Sequence, residues 1–134
     1  MANALYAKGK EKILSGAIDL TTATIKAALL SSSYTANLST DEFWSGISGN
    51  VLNTPQTLGS KSVTAGVFDA ADVTFTAVTS GSTAKAIVIY KDTGTPSTSP
   101  LIAYIDTITG FPLATNGGDI TITWDNGSYK IFSL

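Results

Sequence analysis

A serine and a lysine in the second half of the sequence match the spacing of a nucleophilic motif. Ser82 and Lys85 stand three positions apart, as in the S-x-x-K motif of penicillin-binding enzymes. In those enzymes the motif opens a helix and is accompanied by other motifs that this sequence lacks. Here a run rich in Ile, Val and Tyr follows Lys85, and such a run favours a β-strand. We therefore predict that Ser82 and Lys85 enter a strand and that the chain has no catalytic residues.

Acidic side chains are the other candidates for chemistry. Asp69 with Asp72, and Asn116 with Asp119, are close enough in sequence to share a calcium ion, but neither pair approaches the ligand density of a calcium-binding loop. The Asp residues flank turns or open loops, where a carboxylate commonly accepts hydrogen bonds from the backbone. The sequence thus predicts structural carboxylates, no acid–base pair and no metal site.

The residue types that are missing exclude several functions. There is no His and no Cys, so a Ser–His–Asp triad, a thiolate nucleophile and a zinc site of the usual ligands are excluded. All eight cations are Lys and the net charge is −2, which argues against binding of nucleic acid. The sequence starts without a signal-peptide pattern and has no apolar segment long enough to cross a bilayer. We expect a soluble protein with no cofactor, no nucleic-acid partner and no membrane partner.

The segment Ala84–Asp106 is predicted to be the centre of the fold. Its two apolar runs, Ala86–Tyr90 and Leu101–Ile105, are hydrophobic at consecutive positions, which is typical of strands covered on both faces. Asp92–Pro100 between them contains only Asp, Thr, Gly, Ser and Pro, a composition that forms turns. We predict an antiparallel hairpin of two central strands with a long exposed loop.

Helical spacing of apolar residues near the start predicts an amphipathic helix over about Ala4–Ser15, and Gly16 is expected to stop it. Thr24–Leu30 is predicted to be a strand, although its two adjacent alanines leave a helical continuation open.

A capping-box pattern follows at Ser39 and Glu42, and it predicts a short helix through Phe43, Trp44 and Ile47. Because Phe43 and Ile47 are four positions apart, they should face the core together. Trp44 would then be turned away and becomes a candidate contact residue, although we expect it to be partly buried.

The remaining sequence predicts short antiparallel strands. Alternation within Lys61–Val78 predicts two strands that pair with each other, and Asp119–Trp124 alternates Ile and Trp with Thr. Asn126 and Gly127 form a strong hairpin signal, so Ser128–Leu134 is expected to pair back as the terminal strand. The chain is thus predicted to be a single mainly β domain over residues 1–134, an antiparallel β-sandwich or jelly-roll-like fold with an N-terminal helical arm.

Four blocks of the sequence together resemble a family of small structural proteins of tailed bacteriophages. The blocks are NALYAKGKEKILSGAIDL with TIKAALL, KSVTAGVFDAADVTFTAV, AKAIVIYKDTGTPSTSPLIAYID, and NGGDITITWDNGSYKIFSL. Within this family, the sequence resembles head cement or decoration proteins with a jelly-roll-like fold. The resemblance implies a protein made in the host cytoplasm that binds the capsid exterior of the virion. It also implies the major capsid protein as partner, self-association as a dimer or trimer, and no catalytic signature.

Three segments are candidate interaction surfaces under this hypothesis: Ala2–Tyr6, Tyr34–Trp44 and Asp92–Pro100. We favour the N-terminal segment, because Leu5 and Tyr6 are large apolar residues at a chain end that need not otherwise be ordered. The predicted protein-interaction residues are Leu5, Tyr6, Tyr34, Phe43 and Trp44.

Two other functions remain open at this stage. A phage tail-associated, receptor-binding or carbohydrate-binding β module would use exposed aromatic residues such as Trp44 or Tyr34. An enzyme would need a carboxylate pair that the sequence does not position.

Overall fold

A computed structural model describes residues 4–108, 110–124, 127 and 130–133. These residues form a mainly β fold with several antiparallel sheets and one helix, as predicted, together with short 3-10 turns. The strands are β1 (Ala4–Leu5), β2 (Ile25–Ser31), β3 (Gln56–Thr57), β4 (Ser62–Thr64), β5 (Val67–Asp69), β6 (Val73–Phe75), β7 (Thr83–Lys91), β8 (Leu101–Ile105), β9 (Leu113–Ala114), β10 (Ile120–Ile122) and β11 (Phe132–Ser133). The helix is α1 (Ala7–Leu14), and the 3-10 turns are Trp44–Gly46, Ser48–Asn50 and Pro96–Thr98.

The largest sheet has the strand order β1-β8-β7-β2-β3, and β9 pairs with the start of β7. The predicted central hairpin is confirmed, since β7 and β8 are antiparallel inner strands with Ile89 opposite Ala103. β2 pairs with the other side of β7, so Ala27 lies opposite Ile89. All five residues of β8 are buried, as expected of a strand covered on both faces.

One face of this sheet packs against two smaller sheets. The first joins β6 with β10, and the second has the order β11-β5-β4. Phe68, Phe75 and Ile122 of the small sheets belong to the same buried cluster as Ile87 and Ile89 of the large sheet. The two layers give a sandwich-like arrangement with an apolar core between them.

The opposite face is covered by the irregular segment 32–51. Trp44 of this segment stacks on Tyr90 of β7, with ring centroids 4.5 Å apart and planes inclined by 2°. Tyr34 lies against Tyr104 of β8 with centroids 6.1 Å apart. The large sheet therefore has a second buried cluster that is rich in aromatic residues.

The start of the chain differs from its prediction. Ala4–Leu5 is a strand rather than the first turn of the helix, and the Tyr6 N–H donates to the Ile102 carbonyl at 2.9 Å. The helix begins at Ala7 and crosses β8 so closely that a Cβ on Gly9 would clash with the Leu101 carbonyl oxygen. Backbone pairing with β8 therefore overrides the helical period in the first residues. Gly16, with φ of 82°, follows the helix as predicted.

The capping box and the helix predicted after it are wrong. Asn37 holds this turn instead, since its side-chain oxygen accepts hydrogen bonds from the N–H groups of Ser39 and Thr40. Glu42 is drawn away to Lys12, whose ammonium lies 2.7 Å from the carboxylate. The short helix is a pair of 3-10 turns, Trp44–Gly46 and Ser48–Asn50.

The predicted pairings of the short strands are also wrong. Ala65 and Gly66 both have positive φ, 53° and 78°, and they close a two-residue turn between β4 and β5. β6 pairs with β10 instead, and β11 pairs with β5 rather than with β10. The strand predicted at Asp119–Trp124 is confirmed as β10. The predicted Asn126–Gly127 turn involves residues 125, 126, 128 and 129, which lie outside the described residues.

Candidate functional site

The S-x-x-K pair lies at the entry to β7, as predicted. The Ser82 N–H donates to the Thr115 hydroxyl at 3.0 Å, and that hydroxyl donates to the Ser82 carbonyl at 3.1 Å. Lys85 is a half-buried residue within the strand. These contacts join the start of β7 to the segment after β9. The hydrogen bonds of Ser82 therefore have a structural role.

The carboxylates hold loops and strand ends. The Asp72 carboxylate accepts a hydrogen bond from the Trp124 N–H at 2.9 Å, and Asp119 accepts one from the Ala77 N–H at 2.8 Å. Asp92 lies 2.9 Å from Lys26, and the hydrogen bond from this lysine lowers the pKa of the Asp92 carboxyl. In the part of the chain that is described, no three His, Cys, Asp or Glu side chains come close enough together to hold a metal ion. The predicted structural role is confirmed for these Asp residues.

A chain of buried hydroxyl groups ties segment 32–51 to the start of the chain. The hydroxyls of Tyr6 and Tyr34 are 2.7 Å apart, and Tyr34 donates to the Asp41 carboxylate at 2.7 Å. The Asn37 N–H donates to the same carboxylate oxygen at 2.9 Å. Burial raises the pKa of both tyrosines above the ordinary value, and hydrogen bonding to Asp41 raises that of Tyr34 further. This network therefore serves packing of the segment against the sheet.

Three of the five predicted interaction residues are already enclosed within the chain. Tyr6 is 0% exposed, Tyr34 6% and Trp44 7%. The prediction that Trp44 turns away from the core is wrong, because a 3-10 turn directs it onto Tyr90. Leu5 and Phe43 are half-buried. Of the five residues, Leu5 and Phe43 are thus the two that are partly exposed.

Leu5 lies on a strand at the edge of the large sheet. β1 is the terminal strand of the large sheet, with Ala4 opposite Tyr104 and Leu5 opposite Ala103. Because Tyr6 bonds to β8 through its N–H, the alternation of an antiparallel ladder turns the N–H and C=O of Leu5 away from β8. The other end of the sheet is bridged to the second layer, since the Asn53 side chain donates to the Thr76 carbonyl at 2.9 Å.

A groove of about 900 Å³ lies beside this edge, between the two layers of the sandwich. Leu5 and Ile105 line it from the large sheet, and Ile122 and Phe132 line it from the small ones. Lys10 and Lys130 also line the groove, and its described lining includes no Asp or Glu. We call β1 and this groove the open edge. Within the described residues it combines apolar walls, the outward N–H and C=O of Leu5 with no backbone partner, and two lysines.

A second groove of about 470 Å³ lies between the end of α1 and the β4–β5 turn. Its lining is mostly apolar and includes Ile13, Leu20 and Phe68. Leu14 and Val63 nearby are 81% and 47% exposed. Sequence reasoning missed both grooves, because each is built from strands and loops far apart in the chain. The only local signal for the second was Leu14, which falls on the polar side of the helix.

No protein-family model matches the sequence, and no curated protein matches it either. Within the described ranges, no helix is long and apolar enough to cross a membrane.

Proposed function

We propose that this chain is a structural protein of a tailed-bacteriophage virion. It binds the outside of the head as a cement or decoration protein and stabilises the shell by contacts with the major capsid protein and with its own copies. It has no enzymatic activity. The whole-chain resemblance suggests this function, and the open edge is the observation that supports it best.

A cement protein must bind neighbouring subunits without depending on them for its own fold. The core of this chain meets that requirement, because both faces of the large sheet are already covered by the chain itself. The outward backbone groups of Leu5 are then free to pair with a strand of another protein. Strand addition at a sheet edge is a common mode of association for small β proteins.

The residues on which the carbohydrate- or receptor-binding alternative was based are buried. It required exposed aromatic rings at Trp44 or Tyr34, and both are 7% exposed or less. Stacking against a sugar needs an accessible ring face. A tail-associated structural protein would use the same open edge. The location of this chain on the particle therefore distinguishes a head protein from a tail protein.

The test uses heads and tails purified from a phage strain that lacks this chain. Purified protein is added to each, and bound protein is measured by quantitative gel after sedimentation. We expect saturable binding to heads, no binding to separated tails, and greater resistance of the heads to heat. Binding to tails alone, or to neither particle, would contradict the proposal. Electron microscopy of the decorated heads then shows whether the density lies on the outer surface.

A further inference from the structure

We propose that the open edge binds an extended, acidic peptide segment of the partner protein. The segment adds to the large sheet beside β1, and its carboxylates lie against Lys10 and Lys130. The proposal rests on the proposed function for the source of the segment, which would be the capsid subunit. Its chemistry is argued from the edge itself.

Backbone hydrogen bonding supplies the first part of the argument. The alternation of pairs along β1 and β8 leaves the N–H and C=O of Leu5 directed outward, one donor and one acceptor. An extended peptide satisfies both groups at once, whereas a helix or a compact loop does not. The open edge therefore selects a partner in strand conformation.

The groove explains how the partner's side chains are received. Alternate side chains of an added strand point to the same face of the sheet as Leu5. That face meets the groove, whose walls include Ile105, Ile122 and Phe132. One apolar residue of the segment can thus be buried between the two layers of the sandwich.

Charge identifies the flanking residues of the partner. Lys10 and Lys130 are the charged side chains in the described lining of the groove. Two carboxylates lie close to the lining: Glu11, next to Lys10 in the chain, is directed to Lys8, 3.4 Å away, and Asp106, between the lining residues Ile105 and Thr107, is hydrogen-bonded to the Tyr104 side chain. The whole chain carries a net charge of −2, so the positive charge of the groove is a local feature. A segment with carboxylates beside its apolar residue complements it.

The same charges argue against a second copy of this chain as the occupant. Pairing β1 with β1 of another copy would bring two sets of Lys10 and Lys130 together, and like charges oppose that arrangement. Self-association through another surface is compatible with the proposal.

The test measures binding of synthetic peptides to the full chain at low salt. The probe is a fluorescent, end-capped peptide of about seven residues that alternates Val with Glu. The comparison peptides alternate Val with Lys, or replace Val with Pro so that no strand can form. We expect saturable binding of the Val–Glu peptide alone, with backbone amide shifts centred on Leu5 and Ala103.

Two sets of variants assign the contacts. Reversing both cations, Lys10→Glu with Lys130→Glu, should weaken binding on the order of tenfold. The control Lys85→Glu reverses one charge outside the groove and should change affinity less than twofold, whereas Lys10→Glu alone makes the same change in net charge and should weaken binding more. Leu5→Ala and Leu5→Pro both remove the leucine side chain, but only proline removes the outward N–H, so Leu5→Pro should bind more weakly than Leu5→Ala.

Several results would overturn the proposal. These are equal binding of the Val–Lys peptide, absence of binding, amide shifts centred on the second groove, equal effects of Lys85→Glu and the double reversal, or equal affinity of the two Leu5 variants. A dimer in sedimentation that Leu5→Pro abolishes would show that a second copy occupies the edge. Saturable binding to heads with no peptide binding would refute this inference and leave the proposed function standing.

Discussion

The buried tyrosine network allows a quantitative test of how segment 32–51 is held on the sheet. Tyr34→Phe removes one hydroxyl and leaves the ring in place. That hydroxyl lies 2.7 Å from the Tyr6 hydroxyl and 2.7 Å from the Asp41 carboxylate. The substitution therefore deletes one hydrogen bond between neutral groups and one to a charged group, without opening a large cavity.

The expected loss follows from these two contacts. A hydrogen bond between neutral groups contributes about 1 kcal/mol to stability, and one to a charged group about 2 kcal/mol. Asp41 keeps its hydrogen bond from the Asn37 N–H, whereas the Tyr6 hydroxyl stays buried without its Tyr34 partner. We expect Tyr34→Phe to lower the free energy of unfolding by about 3 kcal/mol, which corresponds to a fall in Tm of about 10 °C.

Urea unfolding followed by tryptophan fluorescence measures this change. Trp44 lies in the aromatic cluster and Trp124 lies in the core between the layers. The fluorescence change therefore reports unfolding of both clusters. Tyr90→Phe is the matched control, because it removes a hydroxyl from an equally buried ring for which we expect a loss below about 1 kcal/mol. The reasoning is refuted if Tyr34→Phe costs no more than Tyr90→Phe.

Three further predictions concern the core, the helix and pH. Ile89→Ala leaves a cavity at a residue that is 0% exposed and should cost ~2–5 kcal/mol in urea unfolding; near-native stability would show that β7 is not central. Gly9→Ala should destabilise the fold by about 1–3 kcal/mol, because the added Cβ would meet the Leu101 carbonyl. A Cβ added at Gly46 would meet no atom within 4 Å, so the control Gly46→Ala should be nearly neutral. Equal losses of stability in the two variants would contradict the steric explanation. Burial raises the pKa of Tyr90 from 10.0 to about 12, so the neutral form is favoured in the folded chain. This contribution is complete below pH 10 and is lost as pH rises from 10 toward 12, and a urea midpoint that stays constant from pH 9 to 12 would contradict it.

The parts of the fold predicted correctly are those with strong local patterns. Ala86–Tyr90 and Leu101–Ile105 are continuously apolar over five residues each, rich in Ile, Val and Tyr, and bounded by turn residues, which together favour a strand buried on both faces. β10 was recognisable because Ile120 and Ile122 alternate with Thr121. In each case the signal lies within one element, so no information about its neighbours was needed.

The errors share one physical origin. Val63, Ala65 and Val67 alternate like a single strand, yet the chain reverses at Ala65 and Gly66. Short strands carry little register information, and their partners depend on which distant segments meet in the core. β6 and β10 pair although Thr74 and Thr121 are 47 positions apart.

For the candidate site, too, the residue types could be read from the sequence but their burial could not. From the sequence, Leu5, Tyr6, Tyr34, Phe43 and Trp44 were predicted to be protein-interaction residues. Their exposure could not be read from it, because the burial of Tyr6 and Trp44 depends on packing against β8 and β7.

Amino-acid composition and local pattern by themselves determined the mainly β class, the central hairpin, and the stop of the helix just before Gly16. Only the tertiary structure decided the strand partners, the enclosure of Tyr6, Tyr34 and Trp44, and the open edge at Leu5 with Lys10 and Lys130 beside it. Local conformation and amphipathic period act between residues a few positions apart, so a sequence records them directly. A groove or a buried hydroxyl network exists only where segments from separate parts of the chain are brought together by burial of the shared core.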